Sequence, residues 1–389
     1  MLSGAPSAHA AYNLARDYSG SDLFSQAQWD YYGYWGFLTL GDVNYLDGPD
    51  ALSQKLVYVT TEGTGIIKVD NTTNVASEQK RNSIRITSKD IYPVGSLWII
   101  DAVHLPFGCS VWPSIWTTGE PWPQYGEIDI IEAVNLMGNN QYAIHSDPGC
   151  TKTDPTTQTG TSSGTDCSQG AGCMVAETQA NSYGSGFAQA GGGVFAAQFD
   201  SSGIYIWFWS RPNVPAAISQ AASANSSTLD ISTFGNPSAA FPGSSCDIGT
   251  YFGAQKLVLD ITLCGDWAGV PAIYNETCAS AGTAGICYGN NVIGAGSPQY
   301  DDAYFELNYI KGYTLDSVSL LSSSSQNYSS PSSATSTGAA LTSATSTGVA
   351  TATASSAGNS ANSAGWARGI PGGGLVAVAG VVMLGLSVL

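Results

Sequence analysis

The chain has 389 residues, with 12 Lys+Arg against 29 Asp+Glu, a net charge of −17. Only 11% of residues are charged while 43% are apolar. That leaves too few Lys and Glu to surface a helix bundle, but enough apolar side chains for a large core. The acidic surplus excludes the phosphate neutralisation on which nucleic-acid binding rests.

Ala8-His9-Ala10 has the small–x–small form of a signal-peptidase site, but no basic and apolar run of the usual length precedes it. Residues 1–10 are therefore read as the remnant of a truncated secretion signal. From 11 to 316, period-2 and continuous apolar runs predict strands at 83–88, 96–104, 127–134, 191–200, 204–210, 256–264 and 303–313. Gly, Pro, Asn and Ser punctuate between them, and no long stretch carries a capped 3.6-residue period. One domain of this size with many strands predicts an all-β sandwich or jelly roll. The eight cysteines (109, 150, 167, 173, 246, 264, 278 and 287) lack any CxxC and read as disulfides of an oxidising compartment. They allow 105 pairings, and spacing does not choose among them. Sequons at Asn71, Asn225, Asn275 and Asn327 fit a secreted glycoprotein.

The chemistry concentrates in Gly126-Glu127-Ile128-Asp129-Ile130-Ile131-Glu132. Side chains alternate along a strand, so Glu127 and Asp129 share one face and Ile128 and Ile130 the other. Strict alternation buries Glu132 with the isoleucines, which costs several kcal/mol for an unpaired carboxylate. A β-bulge at Ile130–Ile131 returns Glu132 to the face of the other two acids. Such a trio suits a retaining glycosidase, in which one carboxylate attacks and another moves the proton. A solvent-exposed acidic face or a Ca²⁺ site uses the same residue types. Upstream, Trp112-Pro-Ser-Ile-Trp116-Thr-Thr-Gly-Glu-Pro-Trp122-Pro is read as a Trp/Pro/Gly loop whose indoles stack on apolar sugar faces.

Beyond Asp316 the only charged side chain is Arg368, so 1–316 hold 11 basic and 29 acidic groups, net −18. Residues 317–364 contain 24 Ser/Thr among 48, with the hexamer at 333–338 repeated at 343–348. They read as a disordered, O-glycosylated stalk. Within 365–389, Gly374–Leu389 is 16 apolar or small residues, shorter than the ~20 of a spanning helix. Small residues, a spacer and a terminal apolar run are a GPI-anchor signal. An extracellular, cell-surface or cell-wall protein, lipid-anchored to the plasma membrane and monomeric, is expected.

GEIDIIEAVN, preceded by HLPFGCSVWPSIWTTGEPWP and followed by Cys264-Gly-Asp-Trp-Ala-Gly269, resembles glycoside hydrolase family 16, in particular fungal endo-1,3(4)-β-glucanases. The resemblance runs from Tyr12 to Tyr313. It implies a concanavalin A-like β-jelly roll and a double displacement on β-glucan. It places the nucleophile on Glu127, an assisting acid on Asp129 and the acid/base on Glu132. Sugar-stacking positions fall on Trp116, Trp122 and Trp267, with Trp112 and His145 beside the cleft; a hydrogen-bonded strand residue is the other reading of His145. His104 is read as structural. The chain departs from the family pattern in the glycine-rich 287–299 and at Tyr304, where relatives often carry Trp. No cofactor or metal is expected. The function expected is endo-hydrolysis of 1,3- or mixed 1,3/1,4-β-glucan; the alternatives are a wall transglycosylase and a non-catalytic β-glucan-binding protein.

Overall fold

Strands dominate because apolar, β-branched and aromatic residues recur at every second position between turn-forming residues. The computed structural model describes residues 11–36, 39–223 and 227–322. The expected signal remnant, nearly all of the stalk, the anchor tail, and the sequons at Asn225 and Asn327 lie outside the described residues.

Two large antiparallel sheets face each other across the main core. One runs in the order Thr228–Asp230, Ala11–Ser19, Tyr304–Leu315, Ser96–His104, Gly193–Asp200, Gly203–Ser210, Ala239–Pro242, with Gly65–Lys68 attached to its third member and Val57–Val59 paired to Gly65–Lys68. The other runs Thr161–Ser163, Cys173–Ala176, Gln141–His145, Glu127–Glu132, Val111–Gly119, Gln255–Leu263, Arg85–Ser88, Trp29–Tyr31. This is the predicted sandwich.

Ser96–His104 is buried at every position but one. Trp98, Ile100 and Ala102 enter the core between the sheets, while Leu97 and Ile99 face a second cluster built with Ile218, Ala221 and Phe234. A strand covered on both faces reads as a continuous apolar run rather than an alternating one. The second sheet is covered on its core side by Ile115, Ile128, Ile130, Ile131, Ile144, Leu257, Leu259 and Ile261, all fully buried. Its other face carries the polar positions between them.

Beyond shifts of one or two residues at strand ends, three places differ from expectation. The predicted 83–88 strand divides into Arg81–Ser83 and Arg85–Ser88, with the Ile84 carbonyl accepting from Ile261 N–H between them. The strand predicted over 127–134 ends at Glu132. The segment with Trp112 and Trp116 is not a loop: Val111–Gly119 is a central strand of the second sheet, and only Trp122 lies in the turn after it. Pro113 is tolerated there because it sits one residue past the last pairing with the neighbouring strand, Ser114 opposite Glu132.

The eight cysteines form four disulfides, Cys109–Cys278, Cys150–Cys246, Cys167–Cys173 and Cys264–Cys287. Two of them bracket the short helices Gly265–Ala268 and Pro271–Cys278.

Candidate active site

The three acids sit on Glu127–Glu132, mid-sheet, and the expected bulge is present. Toward one neighbour, Asp129 lies opposite Ala143 but Glu132 opposite Gln141; toward the other, Asp129 lies opposite Trp116 but Ile131 opposite Ile115. Both ladders slip by one residue, so the extra residue is absorbed between Asp129 and Glu132. Ile128, Ile130 and Ile131 all remain in the core. The carboxyl groups emerge together on the opposite face.

Cross-strand pairs share a face, so the floor of this site can be read in rows. One row runs His145, Glu127, Thr118, Lys256; the next Ala143, Asp129, Trp116, Val258, Thr87; the next Gln141, Glu132, Ser114, Asp260, Arg85. The two glutamates are each held by an indole nitrogen, while Asp129 Oδ2 faces an imidazole without a hydrogen bond. Trp122 Nε1 donates to Glu127 Oε2 at 2.7 Å, and Trp112 Nε1 to Glu132 Oε1 at 2.9 Å. His145 Nε2 stands 3.3 Å from Asp129 Oδ2 and 3.9 Å from Glu127 Oε1. Trp267, on Gly265–Ala268, packs edge-on against Trp112 with ring centroids 5.5 Å apart. Trp122 is 57% exposed, the most open of these rings.

Of the residues expected from sequence, Glu127, Asp129, Glu132, Trp112, Trp116, Trp122, His145 and Trp267 therefore come together on one face. His104 does not join them: it stacks on Tyr304 at 3.9 Å, and its Nδ1 meets the Tyr304 carbonyl at 2.8 Å. Tyr304, the position where the pattern departs, is thus a ring partner in the first sheet.

Sequence reasoning missed Asp260 and Arg85. Asp260, nearly buried, accepts from Trp116 Nε1 at 2.9 Å and from the Tyr45 hydroxyl at 3.3 Å, with Arg85 Nη1 at 3.8 Å. The Arg85 guanidinium lies between the rings of Trp116 and Tyr32, 5.1 and 5.3 Å from their centroids. A lone acid in an apolar strand, as in Leu257-Val258-Leu259-Asp260-Ile261, was the available signal.

The electrostatics follow from crowding acids on a partly dry surface. Burial pushes Glu132 up to about 8, with the charge of Asp129 adding to it. Burial likewise lifts Asp129 to about 7. Glu127 is raised well above the usual carboxylate range by burial first and by Asp129 second, while His145 and, less, the N–H of Trp122 pull it back. Asp260 is raised by burial and restrained by Arg85. Such neighbours titrate as a set, so protons stay on the cluster at neutral pH. Glu127, Asp129 and His145 bring ligand atoms within 4.8 Å of one another. Three such atoms fall short of the six to eight oxygens that Ca²⁺ takes, and the raised proton affinities fit a site that stores and moves protons.

The XgeA-like catalytic domain of glycoside hydrolase family 16 matches residues 29–313. The chain belongs to glycoside hydrolase family 16. A probable glycosidase of Schizosaccharomyces pombe is 36% identical over 312 residues, covering 78% of this chain and 69% of that protein. A probable endo-1,3(4)-beta-glucanase of Neosartorya fischeri is 35% identical over 315 residues, again covering 78% of this chain but only 45% of its own length. Laminarinase 16A of Phanerochaete chrysosporium, solved with beta-glucans in donor and acceptor sites, superposes with a TM-score of 0.71 at 33% identity, over 78% of this chain and 100% of its own. An elongating family 16 beta-1,3-glucosyltransferase gives 0.70 at 35% identity with the same coverage. The family 16 sandwich, its glycoside hydrolase class and its glucan-active character thus hold for this chain.

Proposed function

We propose that this family 16 domain cleaves 1,3- or mixed 1,3/1,4-β-glucan within the chain, with retention at the anomeric carbon. The observation that carries the reading is the bulge, which sets Glu127, Asp129 and Glu132 on one face among indoles. Glu127 is the nucleophile; His145 first and the Trp122 N–H second favour its charged form against burial and Asp129, which raise its proton affinity. Glu132 is the general acid: its raised proton affinity keeps it protonated to hand a proton to the departing glycosidic oxygen. Glu127 then holds the sugar as a glycosyl ester, and Glu132, now a carboxylate, takes a proton from the water that releases it. Asp129 lies between them and raises the proton affinity of both. Trp116, Trp122, Trp112 and Trp267 supply apolar faces for sugar rings, and His145 orients Asp129.

The test is release of reducing sugar from laminarin and barley glucan. Glu127→Gln is expected to lose at least ~10³-fold in kcat, the loss typical of removing a nucleophile; equal release by variant and parent overturns the assignment.

A second reading is transglycosylation, in which another sugar hydroxyl replaces water on the same intermediate. The similarity to the elongating glucosyltransferase supports it. Product sizing with a labelled acceptor oligosaccharide separates the two. The four disulfides support an extracellular location. With the Ser/Thr-rich segment and the apolar terminal run, they favour display at the cell surface on a GPI lipid.

A further inference from the structure

We infer that a second glucan-binding site lies on the far side of the cleft's lip, at a pocket formed by Trp35, Asn44, Asn82, Gln79, Glu78 and Lys80. This rests on the β-glucan reading above. The pocket is an open depression of about 750 Å³, within the 300–1,000 Å³ usual for ligand sites.

Its placement follows from pairing. Trp35 bridges to Asn44, and Asn44 pairs with Asn82 in the parallel ribbon Val43–Tyr45 with Arg81–Ser83. Paired residues share a face, so these three point together. Their ribbon neighbours point the other way: Tyr45 pairs with Ser83, and its hydroxyl meets Asp260 and Thr262 at 3.3 and 2.7 Å. Tyr45 also packs edge-on against Tyr32, which covers Arg85. One face of the ribbon therefore walls the catalytic floor, and the other builds the pocket.

Its chemistry fits an uncharged polyhydroxyl chain. Trp35 is 43% exposed and gives an apolar surface of the kind a pyranose face covers. Lys80 Nζ stands 5.5 Å from that ring and is fixed by the Gly41 carbonyl at 2.7 Å and Asp42 at 3.1 Å, so the aromatic platform is anchored from one side. Three carboxamides, Asn44, Asn82 and Gln79, ring it with donors and acceptors that match hydroxyl groups. Asp70 and Glu78 outnumber Lys80 in the lining, so the pocket has no net attraction for an anion. A polymer held here while another stretch lies across the acids gains effective concentration at the cleft.

The test uses the full chain. In a Glu127→Gln background, Trp35→Ala and Gln79→Ala are expected to lower retention on insoluble 1,3-β-glucan particles about fivefold. In the active background the same changes lower kcat/KM on the particles by a similar factor but leave kcat/KM on laminaripentaose within about twofold. Gln79→Ala serves if Trp35→Ala fails to fold. Unchanged retention by a folded variant, or an equal loss on pentaose and particles, overturns the second site while leaving the active-site reading intact. If the parent neither binds nor cleaves any β-glucan, both readings fall together.

Discussion

At the scale of single residues, function depends on where protons rest. Glu132 carries its proton at neutral pH because burial disfavours the carboxylate and Asp129 disfavours it further. On the proposed role of Glu132 as general acid, turnover is expected to fall as pH rises through about 8 and that proton leaves. Asp129→Asn removes the second cause and spares the first. The alkaline limb of kcat/KM on laminarin is therefore expected to move to lower pH by about one unit; an unmoved limb shows that Asp129 does not act on Glu132. The trio was legible in the sequence because a glutamate on the apolar side of a strand is physically intolerable, which forced the bulge. Asp260 and Arg85 were not. Their contact joins strands far apart in sequence, and neither residue violates an alternation rule that would expose it.

At the scale of elements, the bulge is what the chain maintains. It lets Ile130 and Ile131 both enter the core while Glu132 leaves it. The cost of disturbing it is hydrophobic before it is catalytic. Ile131→Ala opens a cavity beneath the site and is expected to destabilise the fold by about 2–5 kcal/mol, read as a drop in the urea midpoint with unchanged slope. The seven predicted runs fall on strands to within a few residues, but others, among them Ala11–Ser19 and Cys173–Ala176, were not predicted. In Val111–Gly119, proline and closely spaced tryptophans mimic a loop. Only the pairing register shows that Pro113 falls where the ladder toward the catalytic strand has already ended. The same register sets Trp116 beside Asp129 and Asp260, which spacing could not indicate.

At the scale of the whole molecule, disulfides tie distant segments to the site. Cys109–Cys278 spans 169 residues and Cys167–Cys173 only 6. Closing a longer loop removes more freedom from the unfolded chain. The double variant Cys109→Ser/Cys278→Ser is therefore expected to lose about 3–5 kcal/mol in guanidinium unfolding, and Cys167→Ser/Cys173→Ser clearly less. The reverse ranking refutes a loop-entropy origin. Losing the first bond also frees one end of the helix pair that carries Trp267, so KM for glucan is expected to rise with it. The even cysteine count was legible as disulfides, but their pairing was not, because it depends on which loops the two sheets bring together.

The acid surplus has a consequence for what the enzyme refuses. The chain carries 29 acidic against 12 basic residues, so its field is negative even where protons stay on the acids of the floor beside Arg85 and Lys256. A polymer bearing its own anions meets that field before it meets any tryptophan. Carboxymethylated glucan is expected to be cut more slowly than the neutral parent polymer at low ionic strength. Raising salt from about 0.01 to 0.15 M shortens the Debye length from about 30 to 8 Å, and the gap should narrow as it does. The fold thus sorts polysaccharides by charge at a distance and by shape only on contact.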